Sequence, residues 1–385
     1  MHDRLRPIGH THPSSISALS INGCPLVAPG GRSWKQLQTT GRNLKHDHRS
    51  VGIDCLRAVA IIWVLLYHFV PVSLFNRGTH GVLLFFIISG YCISFSAETS
   101  RSAWHFYCKR VGRLLPALVV CGFLTTAFKH ATPELIEPSR LVSWRDYAYT
   151  LVALPTLNVL RIDFAPPDWA YWSLFVEFQF YALCAAILAL GLRKFLLPAV
   201  CAYCLARFAL SSPSTLYTND FFAFFIAGLS VASLAGGNPK QALFGLATAL
   251  FLECAHQFLH YQQPSIPMEG WRLLTLSLGT LAVFLASRYE APKFLRPAAF
   301  IGLISYPLYL IHQDVGHMIL HALHIGDDRP IDLLLRAVAL PVFLGMIAWL
   351  TYFCIERRSI KPLTTFLQNP LPSNELALTK DVATD

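Results

Sequence analysis

The chain has 385 residues, of which 54% are hydrophobic and only 14% charged. Soluble domains carry about 25% charged residues, so this deficit, with a mean hydropathy of +0.46, excludes an ordinary soluble globular protein and points to lipid as the solvent. The formal net charge of +9 does not indicate nucleic-acid binding, because the basic residues sit between apolar blocks and not in one patch, which is the pattern of the positive-inside rule.

Residues 1 to about 50 are polar and basic, with Arg4, Arg6, Arg32, Lys35, Arg42, Lys45 and Arg49. No apolar core follows the first charges, so the segment does not read as a secretory signal. It reads as a disordered cytoplasmic tail. Apolar blocks follow at about 54–74, 80–97, 114–129, 170–191, 195–211, 220–235, 241–259, 271–288, 298–322 and 332–355. A spanning helix takes roughly 20 residues, so the fold predicted for residues 51–358 is an all-α, polytopic membrane bundle of about ten helices. Residues 130–168 form the longest internal polar stretch, and 359–385 read as a polar cytoplasmic tail.

With the N-terminus inside, the inner connections hold Arg101, Lys109, Arg110, Arg113, Arg193, Lys194, Lys240, Arg288, Lys293, Arg296, Arg357 and Arg358. The short connections near 212–219 and 260–270 hold no Lys or Arg. Both termini are therefore expected in the cytoplasm, with 130–168 facing outward. Cys201 and Cys204 make a C-x-x-C spacing inside an apolar run. With no second pair nearby, they read as small buried side chains.

An ionisable group inside a span costs about 2.5–3.5 kcal/mol at a helix centre on insertion scales, so such residues are functional candidates by default. Arg57 and His68 lie in the first block, GIDCLRAVAIIWVLLYHF. Eleven residues bring them to within about 20° of one helix face and about 16 Å apart along it. That suits an anion anchor and a general base, or else a snorkelling Arg and a packed His. Glu177 stands with Ser173 and Tyr181 at spacings of four, a polar stripe on an apolar helix. Ser305, Tyr309 and His312 share a second face. Lys109, Arg110 and Arg113 cluster after the second block; topology explains them, and so does phosphate binding. His317 and His321, at i and i+4, lack a third ligand at matching spacing, so no metal site is expected.

These motifs together resemble the acyltransferase 3 family of membrane proteins, which includes bacterial O-antigen and exopolysaccharide O-acetyltransferases. The resemblance covers about 51–358. It rests on Arg57 and His68 separated by ten residues, GVLLFFIISGYCIS, Arg110-Val-Gly-Arg113 before Leu-Leu-Pro, YWSLFVEFQFYAL, SYPLYLIH and YFCIERR. Two positions depart from the family pattern: Leu83 replaces an Asp, and Phe178 replaces a second Glu. The resemblance implies a multi-pass protein of the inner (plasma) membrane. It implies acetyl-CoA, or another acyl-CoA, as donor substrate and no permanently bound cofactor. It implies a carbohydrate or lipid-linked glycan hydroxyl as acceptor. By the resemblance Arg57 and His68 would be essential residues, Arg110 and Arg113 coenzyme contacts, and Glu177 a site residue. By their places on the same faces and cluster, Glu177 reads as catalytic with Arg57 and His68, Lys109 as a further coenzyme contact, and Ser173, Tyr181, Ser305, Tyr309 and His312 as supporting residues. The competing class is a polytopic transporter or flippase of a surface glycan intermediate, since intramembrane charges also mark transport paths.

Overall fold

The computed structural model describes residues 50–72, 79–158, 163–210, 221–261, 270–326 and 329–368. The expected N-terminal tail, apart from its last residue, lies outside the described residues. Among those described there are helices and no strands, as lipid demands of a chain that must satisfy its backbone polar groups internally.

The helices are α1 Val51–Phe69, α2 Thr79–Thr99, α3 Ala103–Ala131, α4 Trp144–Thr156, α5 Trp172–Ala189, α6 Leu196–Leu210, α7 Phe222–Ala235, α8 Pro239–Tyr261, α9 Gly270–Arg288, α10 Arg296–Ile311, α11 Gln313–Ala322, α12 Pro330–Leu334, α13 Leu340–Thr351 and α14 Arg357–Gln368. Each apolar block of the sequence is helical over most of its described residues. Seven stretches are long and apolar enough to cross a membrane: Val51–Phe69, His80–Thr99, Ala103–Ala131, Trp169–Ala189, Gly270–Arg288, Lys293–Ile311 and Pro330–Gln368. The shorter α6 and α7 pack among them.

Local sequence explains the boundaries. The Ser50 hydroxyl caps α1 by accepting from the Ile53 N–H, and Ser102 caps α3 through His105, each satisfying an otherwise orphaned donor. Ser143 and Asp146 form a reciprocal capping box on α4. Two expectations change here. The basic segment with Lys109, Arg110 and Arg113 is not a connection but the first three turns of α3. The polar C-terminal stretch continues as α14 to Gln368. α14 lies on α3, with Thr364 against Gly112 and the Cys108 thiol on the Leu367 carbonyl.

Two close helix crossings set the frame. On α2 and α7, Gly90 and Gly228 meet backbone directly, at Phe225 and at Ile87 and Tyr91. On α10, Gly302 lies against the Asp54 backbone of α1. A Cβ at any of the three would collide with main chain, so small residues here let membrane helices approach. α10 is also interrupted: Pro307 lies inside it, and His312 stands where α10 gives way to α11. A proline removes one helical hydrogen bond and loosens the turn before it.

The ends of the bundle differ in charge. Ser50 donates to the Ala286 carbonyl, the Cys55 thiol to that of Leu295, and Arg193 to those of Ala97 and Glu98. These contacts bring the start of α1, the end of α2, the α5–α6 turn and the α9–α10 connection to one end. Arg193, Lys194 and Lys293 lie in those connections, and Arg288 and Arg296 at the helix ends that flank the last of them. Only 17% of the apolar window of α9, and of that in Pro330–Gln368, is buried, so these faces meet lipid. Cys201 and Cys204 are buried in α6.

Candidate active site

A pocket with a cavity volume of about 110 Å³ runs into the bundle from the arginine end. Arg57, Arg110, Arg113 and Glu356 line it toward one end, Ser89, Cys92, Glu177 and Tyr181 line its wall, and Ser173, Ser305 and Tyr309 line it toward the other end. Apolar side chains, among them Val82, Phe85, Phe86 and Leu174, fill the rest of the lining. Such a pocket, mostly apolar with a few convergent polar groups, is the usual form of a ligand site.

The polar wall is one connected network. Ser89 donates to Glu177 Oε1 at 2.6 Å, and the Tyr181 hydroxyl donates to the same oxygen. Arg110 donates to the Tyr181 oxygen at 2.8 Å, to Ser96 at 3.4 Å, and lies 4.6 Å from the centre of the Tyr181 ring. The stripe Ser173–Glu177–Tyr181 therefore faces the pocket, and Glu177 is held by two hydroxyls instead of by an arginine directly. Arg57 pairs with Asp54 at 3.0 Å and reaches the Cys92 sulfur at 3.5 Å. Lys109 turns to the Thr99 hydroxyl at 3.0 Å and is not among the lining side chains. Leu83 and Phe178, at the two positions where an acid is absent, are buried apolar residues.

At the far end, the Ser173 and Tyr309 hydroxyls lie 2.8 Å apart, and both reach the Ala170 carbonyl, at 3.1 and 3.0 Å. Beyond Tyr309 lies His312, with ring centres 5.1 Å apart, and beyond that His68, at 4.9 Å from His312. His317 completes a cluster at 6.1 Å from His68. Arg57 and His68, on one helix, thus belong to opposite ends of the site: Arg57 lines the pocket and His68 does not. Ser305 spends its hydroxyl on the Gly302 carbonyl within α10.

Next to the histidines is an ionic network. Lys129 and Asp314, both fully buried, pair at 2.6 Å, and Arg140 meets the other Asp314 oxygen at 3.3 Å. Lys129 also donates to the Arg140 carbonyl. Asp168 accepts from the Asp314 and Ala170 amides. These contacts tie α3, the connection before α4, the start of α5 and α11 together at the mouth of the histidine cluster. Neither Lys129, Arg140, Asp168 nor Asp314 was singled out from the sequence. Lys129 and Asp314 fall inside apolar blocks, so the insertion-cost rule that selected Glu177 would have selected them too. Ser89 and Cys92 carry no charge and gave no such signal. Among the described residues, no group of three or more His, Cys, Asp or Glu side chains is arranged to hold a metal ion.

Comparison with known proteins adds the family. Over 317 residues the chain is 27% identical to the peptidoglycan O-acetyltransferase OatA of Listeria monocytogenes, covering 71% of this chain and 50% of that protein. It is 29% identical over 321 residues to the putative membrane-bound transacylase BcsY of Komagataeibacter xylinus, covering 76% and 78%. It is 42% identical over 87 residues to an O-acetyl transferase of Shigella phage Sf6, covering 20% and 26%. The chain thus spans half the length of the first of these relatives and about a quarter of the phage protein. No solved structure matches. Residues 50–358 match the acyltransferase domain of the acyltransferase 3 family, and the chain belongs to that family.

Proposed function

We propose that this protein is a multi-pass O-acyltransferase of the cell's inner membrane that moves an acetyl group from acetyl-CoA to a hydroxyl of a surface carbohydrate. The observation that carries the proposal is the arrangement of the site: a pocket with three arginines toward one end, and a histidine cluster behind its other end. The names of the relatives favour acetyl transfer to a polysaccharide. The donor and the membrane are those that the family resemblance implies, and the basic end supports that reading.

In this reading the arginine end faces the cytoplasm. The phosphates of the coenzyme rest on Arg110 and Arg113, whose planar forks suit bidentate phosphate contacts. Arg57 adds to the field, with part of its charge already neutralised by Asp54. Lys109 contributes charge from farther off. The thin pantetheine arm follows the apolar lining, and the thioester reaches the Ser173–Tyr309 pair. That hydroxyl pair must part for the thioester to meet His68. The acceptor arrives from the histidine end.

The chemistry is one displacement. The acceptor oxygen bonds to the thioester carbonyl carbon while a His68 nitrogen takes the hydroxyl proton. The tetrahedral oxyanion then collapses, the carbon–sulfur bond breaks, and the departing thiolate takes the proton from His68. Atoms and charge balance with no further reactant. General-base assistance of this kind is worth about 10²–10⁴ in rate, and holding donor and acceptor together supplies much of the remainder. Glu177, clamped by Ser89 and Tyr181, fixes Arg110 through Tyr181 and so acts on donor binding.

The test is transfer of labelled acetyl from acetyl-CoA to surface glycan in membranes holding the protein. Covalent label on the glycan, lost in His68→Ala at equal protein level, is the expected result. Full labelling by His68→Ala would remove the base. Movement of glycan with no covalent label would instead favour the transporter class.

A further inference from the structure

We propose that His312 is a positioning residue that holds the His68 ring, forming a relay from the Tyr309 carbonyl through His312 to His68. This rests on the assignment of His68 as base and goes one residue further.

Three observations carry it. His312 is fully buried. Its Nδ1 lies 2.7 Å from the Tyr309 carbonyl oxygen. A carbonyl only accepts, so Nδ1 bears the hydrogen. The opposite nitrogen, Nε2, is buried with no hydrogen-bond partner. A second hydrogen on Nε2 would leave a charged ring with an unanswered donor in a dry interior, at a cost of several kcal/mol. His312 is therefore neutral, and Nε2 presents a lone pair. The break between α10 and α11 puts the ring there, because it lets a side chain reach back to a carbonyl of the preceding turn.

Next to this lone pair stands His68, its ring centre 4.9 Å away and inclined at 66°. Among the described residues no hydrogen bond reaches either nitrogen of His68, so its tautomer is not fixed by the resting contacts. A turn of the His68 ring brings one N–H onto His312 Nε2. The other nitrogen is then the bare acceptor that a general base needs. A base oriented by a third group is the general logic of activated nucleophiles, and a hydrogen bond to one ring nitrogen decides the role of the other. His317 and Arg140 also face this cluster. The His317 ring is farther from His68, and Arg140 is engaged with Asp314.

Glutamine places an oxygen near the position of Nε2. Asparagine can satisfy the Tyr309 carbonyl but places no acceptor there. The experiment compares His312→Gln and His312→Asn with wild type, per unit of protein in the membrane fraction, for labelled acetyl transfer. The expected result is a kcat fall of ten- to a hundredfold in His312→Asn with KM for acetyl-CoA unchanged, and recovery to within a few-fold in His312→Gln. Equal loss in both variants, or none in either, overturns the relay. If either variant fails to accumulate, ¹⁵N-histidine NMR of the wild-type protein in bilayers decides. An unprotonated Nε2 at His312 whose resonance moves in His68→Ala is expected, and an Nε2–H tautomer overturns the proposal. His68→Ala separates the two levels: if it alone is inactive, the base stands and only the relay fails; if it is active, the proposed function fails.

Discussion

The two ends of the site solve different physical problems with different materials. The arginine end opens into the pocket, and a connected wall there joins two hydroxyls, the Glu177 carboxylate and one guanidinium fork: Ser89, Glu177, Tyr181 and Arg110. The histidine end lies outside the pocket lining, with His312 buried, His68 half-buried and His317 exposed. Its rings meet edge to face, and its charges, Lys129, Asp314 and Asp168, are fully buried and spend their bonds on one another and on backbone. A wall that must accept and release a charged ligand holds buried Arg110 on neutral hydroxyls that a phosphate can displace. A framework that must hold neutral imidazoles inside lipid locks its charges into pairs. The contrast implies that damage at one end appears as weakened donor binding, and at the other as lost turnover or lost protein.

The largest effect is expected at the base. His68→Ala is predicted to lower acetyl transfer by about 10²–10⁴ while the protein still reaches the membrane and still binds acetyl-CoA, measured by a donor-binding assay on the same fraction. Loss of donor binding in this variant would erase the distinction between the ends. Next comes the buried pair. Lys129→Met leaves Asp314 with only the half-exposed Arg140, and breaking one partner of a buried pair costs about 3–5 kcal/mol. The thermal midpoint in detergent should fall by several degrees, and a double change of Lys129→Met with Asp314→Leu should recover a large part of it. A double variant no more stable than Lys129→Met would mean that the Asp314 carboxylate works chiefly through Arg140.

The sequence made the helical blocks legible because lipid allows so few solutions to backbone hydrogen bonding. Each of the ten apolar runs is helical over most of its described residues. It also marked Glu177 and its stripe, which face the pocket as the spacing of four implies. Two things were hidden. Helical continuity through polar residues was one: Lys109, Arg110 and Arg113 look like a connection by hydropathy, but the Ser102 cap starts α3 ahead of them. The pairing of distant charges was the other. Nothing local to Lys129 says that its partner is Asp314, since 185 residues separate them. Spacing correctly put Arg57 and His68 on one helix, yet it did not reveal that Tyr309 and His312 stand between the pocket and His68.

At the arginine end the expected effects are smaller and fall on KM. Arg110→Lys keeps the charge but loses the planar fork that meets Tyr181 and, in the proposed function, a phosphate. Losing one charge-assisted hydrogen bond costs about 1.5–3 kcal/mol, so KM for acetyl-CoA should rise roughly tenfold or more with kcat little changed. A fall in kcat alone would place Arg110 closer to the chemistry than the pocket geometry does.

The smallest effect sharpens the comparison most. Lys109 sits one residue before Arg110 but turns to Thr99, away from the pocket lining. If the donor is gripped by direct contact, Lys109→Ala removes only a distant charge, and distant charges are screened over about 10 Å at 0.1 M salt. KM for acetyl-CoA should then rise less than about threefold at low salt, and the difference should vanish as salt is added, whereas a contact loss at Arg110 persists. A large, salt-insensitive rise in Lys109→Ala would mean that the ammonium swings in to meet the donor. The arginine end of the pocket would then be a surface remade on binding, and not the preformed wall that its hydrogen bonds describe.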